Sequence, residues 1–227
     1  MALAVLWALV AALGADPYAA RRENMVRVDI QERGVGDARV LAAMRATPRH
    51  LFVPAELRSR AYDDYPLPIG ADQTISQPYI VAYMSELLRT APDQTALEIG
   101  TGSGYQAAVL SLLVKELYTL EIVPELARSA AEMFQRLGLK NVFSRQGDGY
   151  RGWPEKAPFD RILLTAAPPE VPPALLEQLK PGGRLVAPVG AGPFAQELVV
   201  VDKMKDGQLK RRRDIPVRFV PMVKGRK

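Results

Sequence analysis

Residues 95–110 read TALEIGTGSGYQAAVL, and the fold turns on how this stretch is read. It opens on a short apolar run broken only by Glu98, crosses glycines at Gly100, Gly102 and Gly104, and continues into apolar residues at helical spacing. The pattern predicts strand, tight turn, helix. Glycines allow the sharp turn and leave no Cβ between the loop and a ligand, while the first N–H groups of the following helix point at the same spot. By itself the stretch fits a βα turn with or without a ligand.

Working outward, 227 residues with 48% hydrophobic and 24% charged composition can bury one good core. The expected division is an apolar, signal-like extension over 1–23 and a single domain over 24–227. Lys and Arg outnumber Asp and Glu by 30 to 25, a net charge of +5, too small an excess to argue a nucleic-acid partner. There is no cysteine and a single histidine, His50. Thiolate nucleophiles and thiolate metal sites are therefore excluded, and zinc or triad chemistry lacks its usual parts, so no metal is expected.

The run 1–15, MALAVLWALVAALGA, is shorter than the roughly 20 residues that span a bilayer. It resembles the apolar core of an export signal but lacks basic residues ahead of it, the first arginine being Arg21. A cytoplasmic protein is expected, with export to the periplasm as the alternative.

From Asn24 the chain reads as helical through Met25, Val28 and Ile30, and a second helix starts at the N-cap Asp37 and stops before Pro48. Residues 50–74 read as a long irregular stretch with Pro54, Pro66, Pro68 and Gly70, of the kind that serves as a binding segment. His50 has no partner nearby in sequence and reads as structural. Ser76, just ahead of Pro78, reads as a helix cap unless other residues give it a further role. The helix it introduces is expected to end near Ala91. Strands follow at 117–123, 142–145, 159–165 and 184–189, with helices from Pro124 to Gly138 and over 175–179. The segments 198–204 and 209–220 read as a closing antiparallel hairpin turned at Asp206 and Gly207. Strand and helix alternate, so the fold class is α/β, doubly wound, with a mostly parallel sheet and helices on both faces.

In such a sheet ligands sit at the carboxyl ends of the strands, where the glycine loop, Glu121 and Asp148 converge. An acidic residue about twenty positions past the glycines suits the hydroxyls of a ribose. A dinucleotide fingerprint calls for its third glycine at position 105, which is Tyr105 here; the compact G-x-G-x-G suits a cofactor without a pyrophosphate. Glu98 reads either as a carboxylate toward a positively charged cofactor or as an acceptor anchoring the loop.

The runs LEIGTGSGYQAA, GDG at 147–149, FDRILLTAAPPEVP and LKPGGRLVAPVG together resemble class I S-adenosylmethionine-dependent methyltransferases. Upstream, PRHLFVP and AYDDYPLPIGADQTISQPYIVAYM, with VRFVPMV near the end, narrow the resemblance to the bacterial type of protein-L-isoaspartate O-methyltransferases. It runs in order over 25–225, departing at Gln77, Pro78 and Tyr79, where some members have Ala-Pro-His. The resemblance implies a Rossmann-like methyltransferase sheet, S-adenosyl-L-methionine as cofactor, and methyl transfer to the α-carboxylate of isoaspartyl residues in damaged proteins and peptides, which initiates repair through a succinimide. Carried over by motif, Ser76 is the catalytic residue. Ser76, Glu98, Gly100, Gly102, Gly104, Glu121, Asp148 and Gly149 contact the cofactor, and Thr74, Ile75, Ser76 and Gln196 the substrate. A monomer without nucleic-acid partner or membrane span is expected.

That chemistry suits the residue inventory. A carboxylate, with an unperturbed pKa of about 4, is already ionised at neutral pH and needs no general base. A nucleic-acid methyltransferase, the first alternative, would use the basic run 210–213. Yet after the fourth strand come Thr165, Ala166, Ala167, Pro168 and Pro169, without the aromatic residue that amino-methylating enzymes place there. A binding module that has lost transfer is the second alternative.

Overall fold

The structure, a computed structural model, describes residues 16–192 and 195–225. The export reading of 1–15 lies outside them. Helix α1 (Ala19–Asn24) widens into a π-helical turn over Met25–Gln31, burying Met25, Val26 and Ile30. Residues 16–23, grouped with the apolar extension on sequence grounds, pack against the domain: Tyr18 stacks on His50 with centroids 4.4 Å apart, and Arg45 holds Glu23 at 2.9 Å. Helix α2 (Ala38–Ala46) starts as expected from Asp37, whose carboxylate accepts the N–H groups of Arg39 and Val40.

The stretch read as irregular is more ordered than its prolines suggested. It holds two 3₁₀ turns, Arg49–Phe52 and Ala55–Arg60, and an antiparallel hairpin of β1 (Leu67–Gly70) and β2 (Gln73–Ile75). The chain reverses through Ala71 and Asp72 at positive φ, 50° and 56°, where the usual turn signal would be glycine or asparagine. Helix α3 (Pro78–Leu88) ends on Arg89 in the left-handed region, short of Ala91.

Seven strands form the main sheet: β3 (Thr95–Ile99), β4 (Glu116–Glu121), β5 (Val142–Gln146), β6 (Phe159–Leu164), β7 (Leu179–Val189), β8 (Gln196–Lys203) and β9 (Leu209–Val217). Their order is β5-β4-β3-β6-β7-β8-β9. Pairings from β5 through β7 are parallel and the last two antiparallel. Helices α4 (Tyr105–Ser111), α5 (Pro124–Arg136) and the short α6 (Pro173–Glu177) fill the crossovers. β7 begins five residues earlier than the sequence suggested, and β9 stops at Val217, so residues 218–220 lie beyond it.

The apolar strands explain the layering. In β6, Leu163 belongs to the core on one face while Ile162 and Leu164 belong to the core on the other. β3 divides the same way, Ala96 against Leu97 and Ile99, as does β7, Val186 against Leu185 and Ala187. Successive side chains point to opposite faces, so a strand apolar at every position demands cover on both. Each Leu, Ile or Val among them contributes about 1.5–3 kcal/mol when fully buried. β3, with β4 on one side and β6 on the other, stands where the winding reverses, and its carboxyl end opens the crevice such sheets use for ligands.

Candidate active site

The crevice begins with the turn after β3. Gly100 donates its N–H to Leu120 O at 2.8 Å and sits at φ 97°, where a Cβ would lie 2.5 Å from Thr165 Oγ1. Any larger residue would be strained at that φ and would displace the Thr165 hydroxyl. Gly102 donates its N–H to Glu121 Oε2 at 2.7 Å, and Val123 donates to Glu121 Oε1 at 2.9 Å. Glu121, 6% exposed, thus sits buried at the end of β4 with no ion pair to a cation among the described residues. A carboxylate carries about four acceptor positions, so two backbone donors leave it capacity toward the crevice.

The cavity there encloses about 870 Å³ when its solvent-filled mouth is included. Gly100, Gly102, Glu121 and Gly149 line it, and Thr74, Ile75 and Ser76 close it from the β2 side. A second, outer groove shares Thr74, Ser76, Thr165, Val220 and Pro221 with it and adds Pro66, Ile80 and Phe219. Ser76 therefore stands on the partition between two compartments.

The capping role of Ser76 is corrected. α3 has Gln77 at its N-cap position with no side-chain cap there, and Pro78 opens the helix. Asp64 supplies the acceptor instead: its Oδ1 takes the N–H of Tyr79 at 2.9 Å and its Oδ2 the side chain of Gln77 at 2.6 Å. Among the described residues nothing holds the Ser76 hydroxyl, which borders both compartments.

Four sequence-expected residues are held elsewhere. Glu98 is fully buried behind the turn, in register with Thr119, whose hydroxyl donates to Glu98 Oε2 at 2.5 Å and lies 2.6 Å from that of Thr101. Its other oxygen has no partner among the described residues, and burial pushes its carboxyl up to about 8, the neutral form being favoured where water is excluded. Glu98 thus anchors the strands under the loop. Gly104 begins α4, where a Cβ would meet the Phe134 ring at 2.7 Å; its place is set by packing. Asp148 accepts from Tyr150 N at 2.9 Å and Gly225 N at 3.1 Å, in a cleft beside the cavity with Ile122 and Gly147. Gln196, 3% exposed, spends both ends of its amide on Phe219, accepting its N–H at 2.6 Å and donating to its carbonyl at 3.1 Å.

The sequence reading missed Thr165, Val220 and Met222 as lining residues. Thr165 was detectable by position, as the residue immediately after β6 on the edge where ligands gather; its hydroxyl donates to Ile99 O at 3.0 Å. Val220 and Met222 carried no such signal. His50 packs structurally, with Nδ1 2.7 Å from the Tyr62 hydroxyl, and burial lowers its pKa. Among the described residues no group of three His, Cys, Asp or Glu side chains could hold a metal ion, and no helix is long and apolar enough to cross a membrane. In the basic run, Arg212 pairs with Asp214 and Arg213 with Glu197.

Residues 20–227 match a family model described as protein-L-isoaspartate(D-aspartate) O-methyltransferase. A protein-L-isoaspartate O-methyltransferase of Synechococcus sp. (strain JA-2-3B'a(2-13)) is 55% identical over 214 residues, covering 92% of this chain and 87% of that protein. A second, from Syntrophobacter fumaroxidans, is 51% identical over 220 residues, covering 92% and 89%. Among solved structures, a protein-L-isoaspartate O-methyltransferase superposes with a TM-score of 0.79 at 31% identity, covering 88% of this chain; this chain spans 65% of that one. A Plasmodium falciparum structure described as a complex with S-adenosyl-L-homocysteine shares the fold, with a TM-score of 0.74 at 23% identity.

Proposed function

The chain belongs to the protein-L-isoaspartate(D-aspartate) O-methyltransferase family, and from that premise we propose how its two compartments divide the reaction. The protein is an S-adenosylmethionine-dependent methyltransferase that esterifies the α-carboxylate of L-isoaspartyl residues in damaged proteins and peptides. The ester then closes to a succinimide, whose hydrolysis returns some normal aspartate. The observation that carries the division is the shared wall: Thr74 and Ser76 border both the inner cavity and the outer groove, so groups bound in each meet there.

The inner cavity suits the cofactor. Glu121 offers a buried, cation-free carboxylate to ribose hydroxyls; Gly100, Gly102 and Gly149 bring backbone close to the ligand; and Asp148 in the adjoining cleft takes the adenine end. Glu98 and Gly104 act at one remove, by holding the loop and its helix. Bound S-adenosylmethionine supplies an electrophilic methyl group on a sulfonium. The outer groove suits an extended peptide, with Thr74, Ile75 and Ser76 at the point of transfer and Gln196 fixing the wall that Phe219 forms. Ser76 donates a hydrogen bond that orients the isoaspartyl carboxylate in line with the methyl carbon, while the hairpin bearing it screens the site from water. No residue need take a proton, because the acceptor arrives ionised.

We place residues 24–227 in the methyltransferase domain, with 16–23 as its packed lead-in. We place the enzyme in the cytoplasm, where the methyl donor is made, as a monomer without nucleic-acid partner. Support for the last two is that the large exposed apolar residues form no single patch, Phe143 lying on the edge strand β5 and Met204 and Leu209 together at the β8–β9 turn on the far side of the sheet, and that half the basic run is ion-paired. The deciding experiment offers the enzyme labelled S-adenosylmethionine with a synthetic isoaspartyl peptide and its aspartyl twin. Label entering only the first is expected; equal labelling, or none, overturns the reading.

A further inference from the structure

Residues 219–225, after β9, form one continuous stretch with three anchors. At its start the Gln196 amide holds Phe219 N and O. In its middle Ala167 donates to Val220 O at 2.9 Å and accepts from Met222 N at 2.8 Å, and the Tyr150 hydroxyl donates to Met222 O at 3.2 Å. At its far end Gly225 donates its N–H to Asp148 Oδ2 at 3.1 Å. Between anchors the stretch walls both compartments: Phe219, Val220 and Pro221 line the outer groove, and Val220, Pro221, Met222 and Val223 line the inner cavity. Met222 closes against Gly149, where an added Cβ would stand 2.9 Å from its Cε.

We infer that this stretch couples the two substrates, Asp148 and Gly225 acting as positioning residues through which donor binding sets the peptide groove. The inference rests on the assignment of cavity and groove proposed above. The Asp148 carboxylate has acceptor capacity for an adenine amino group beside the two backbone N–H groups it already takes. A ligand in the inner cavity supports Met222 and Val223 from within and holds Gly225 against Asp148. Seven residues span at most about 25 Å, so restraint at Gly225 and Met222 leaves Phe219 and Val220 little freedom. The ordering cost of the groove wall is then met when the donor binds, and the peptide arrives at a formed wall, which is positive coupling without a large change of shape.

Two measurements decide it. Affinity of an isoaspartyl peptide is measured by calorimetry with and without saturating S-adenosylhomocysteine, in the native chain, in Gly225→Pro, which lacks the N–H donated to Asp148, and in Gly225→Ala, which keeps it. The product should tighten peptide binding about tenfold in the native chain, within the usual range of such couplings. That factor should fall toward one in Gly225→Pro and survive in part in Gly225→Ala, which keeps the N–H although its Cβ would stand 3.3 Å from the Asp148 carboxylate. A native factor of one, or an undiminished factor in Gly225→Pro, overturns the inference. Amide exchange supplies a readout independent of peptide: S-adenosylhomocysteine should slow exchange at Phe219, Val220 and Met222, and unchanged rates there overturn the coupling. Slowed exchange in a chain that methylates no isoaspartyl peptide would uphold the coupling and sink the repair reading alone.

Discussion

Glu121 Oε2 lies 2.7 Å from the amide nitrogen of Gly102, so the carboxylate at the end of β4 holds the turn that follows β3. One side chain therefore shapes the loop and faces the cavity. Replacing Glu121 by Ala removes a charged acceptor from a mostly dry site, where each such hydrogen bond contributes about 1.5–3 kcal/mol. S-adenosylhomocysteine binding by calorimetry should weaken by about ten- to a hundredfold. Unchanged affinity would take Glu121 out of the cofactor site.

Ser76 and Asp64 should separate cleanly. Ser76→Ala is expected to leave the melting temperature unchanged while raising the barrier in kcat/KM by about 1–3 kcal/mol, one hydrogen bond to a charged group. Asp64→Ala should instead cost about 1 kcal/mol of stability, as loss of a helix-capping acceptor does. Thermal unfolding of both variants beside their kinetics checks this; a silent Ser76→Ala would leave the serine without a role in transfer.

Glu98 makes stability depend on pH. Burial holds its folded pKa at about 8, against about 4.3 in an unfolded chain. Between these values the folded state binds a proton that the unfolded state does not, so its contribution to stability is full below about 4.3 and is lost as pH rises through about 8. Glu98→Gln cannot titrate. The melting temperature of the native chain should therefore fall relative to that of Glu98→Gln as pH is raised from 5 to 8, and parallel curves would show that Glu98 does not carry the effect.

How much of this the sequence disclosed depends on the range over which each feature is encoded. β6 was legible because Ile162, Leu163 and Leu164 are apolar on both faces, and the turn at Gly100 because a strand, three glycines and a helix follow one another directly. Glu121 followed from its place at the next strand's end. The β1–β2 hairpin was hidden because Ala71 and Asp72 take the positive φ angles that a sequence reading assigns to glycine. Ser76 read as a cap because the acceptor that serves α3, Asp64, comes from 15 residues away from Tyr79. Gln196 showed no sign of its partner, Phe219, 23 positions on. Local pattern reports propensity and periodicity; pairings across the fold leave no local trace.

Gln196 therefore supplies the sharpest contrast between a substrate ligand and a structural clamp. Its amide is buried and both its ends are engaged by the Phe219 backbone, so Gln196→Ala strands an N–H and a carbonyl at the base of the groove wall. Leaving such groups unsatisfied costs about 1–3 kcal/mol. The melting temperature should drop, and KM for an isoaspartyl peptide should rise more than kcat falls, because the wall loosens while Ser76 and Glu121 stay in place. Gln196→Glu keeps an acceptor for Phe219 N–H but loses the donor to Phe219 O, and should fall between the two. A raised KM with an unchanged melting temperature in Gln196→Ala would instead mark Gln196 as a direct contact to the peptide.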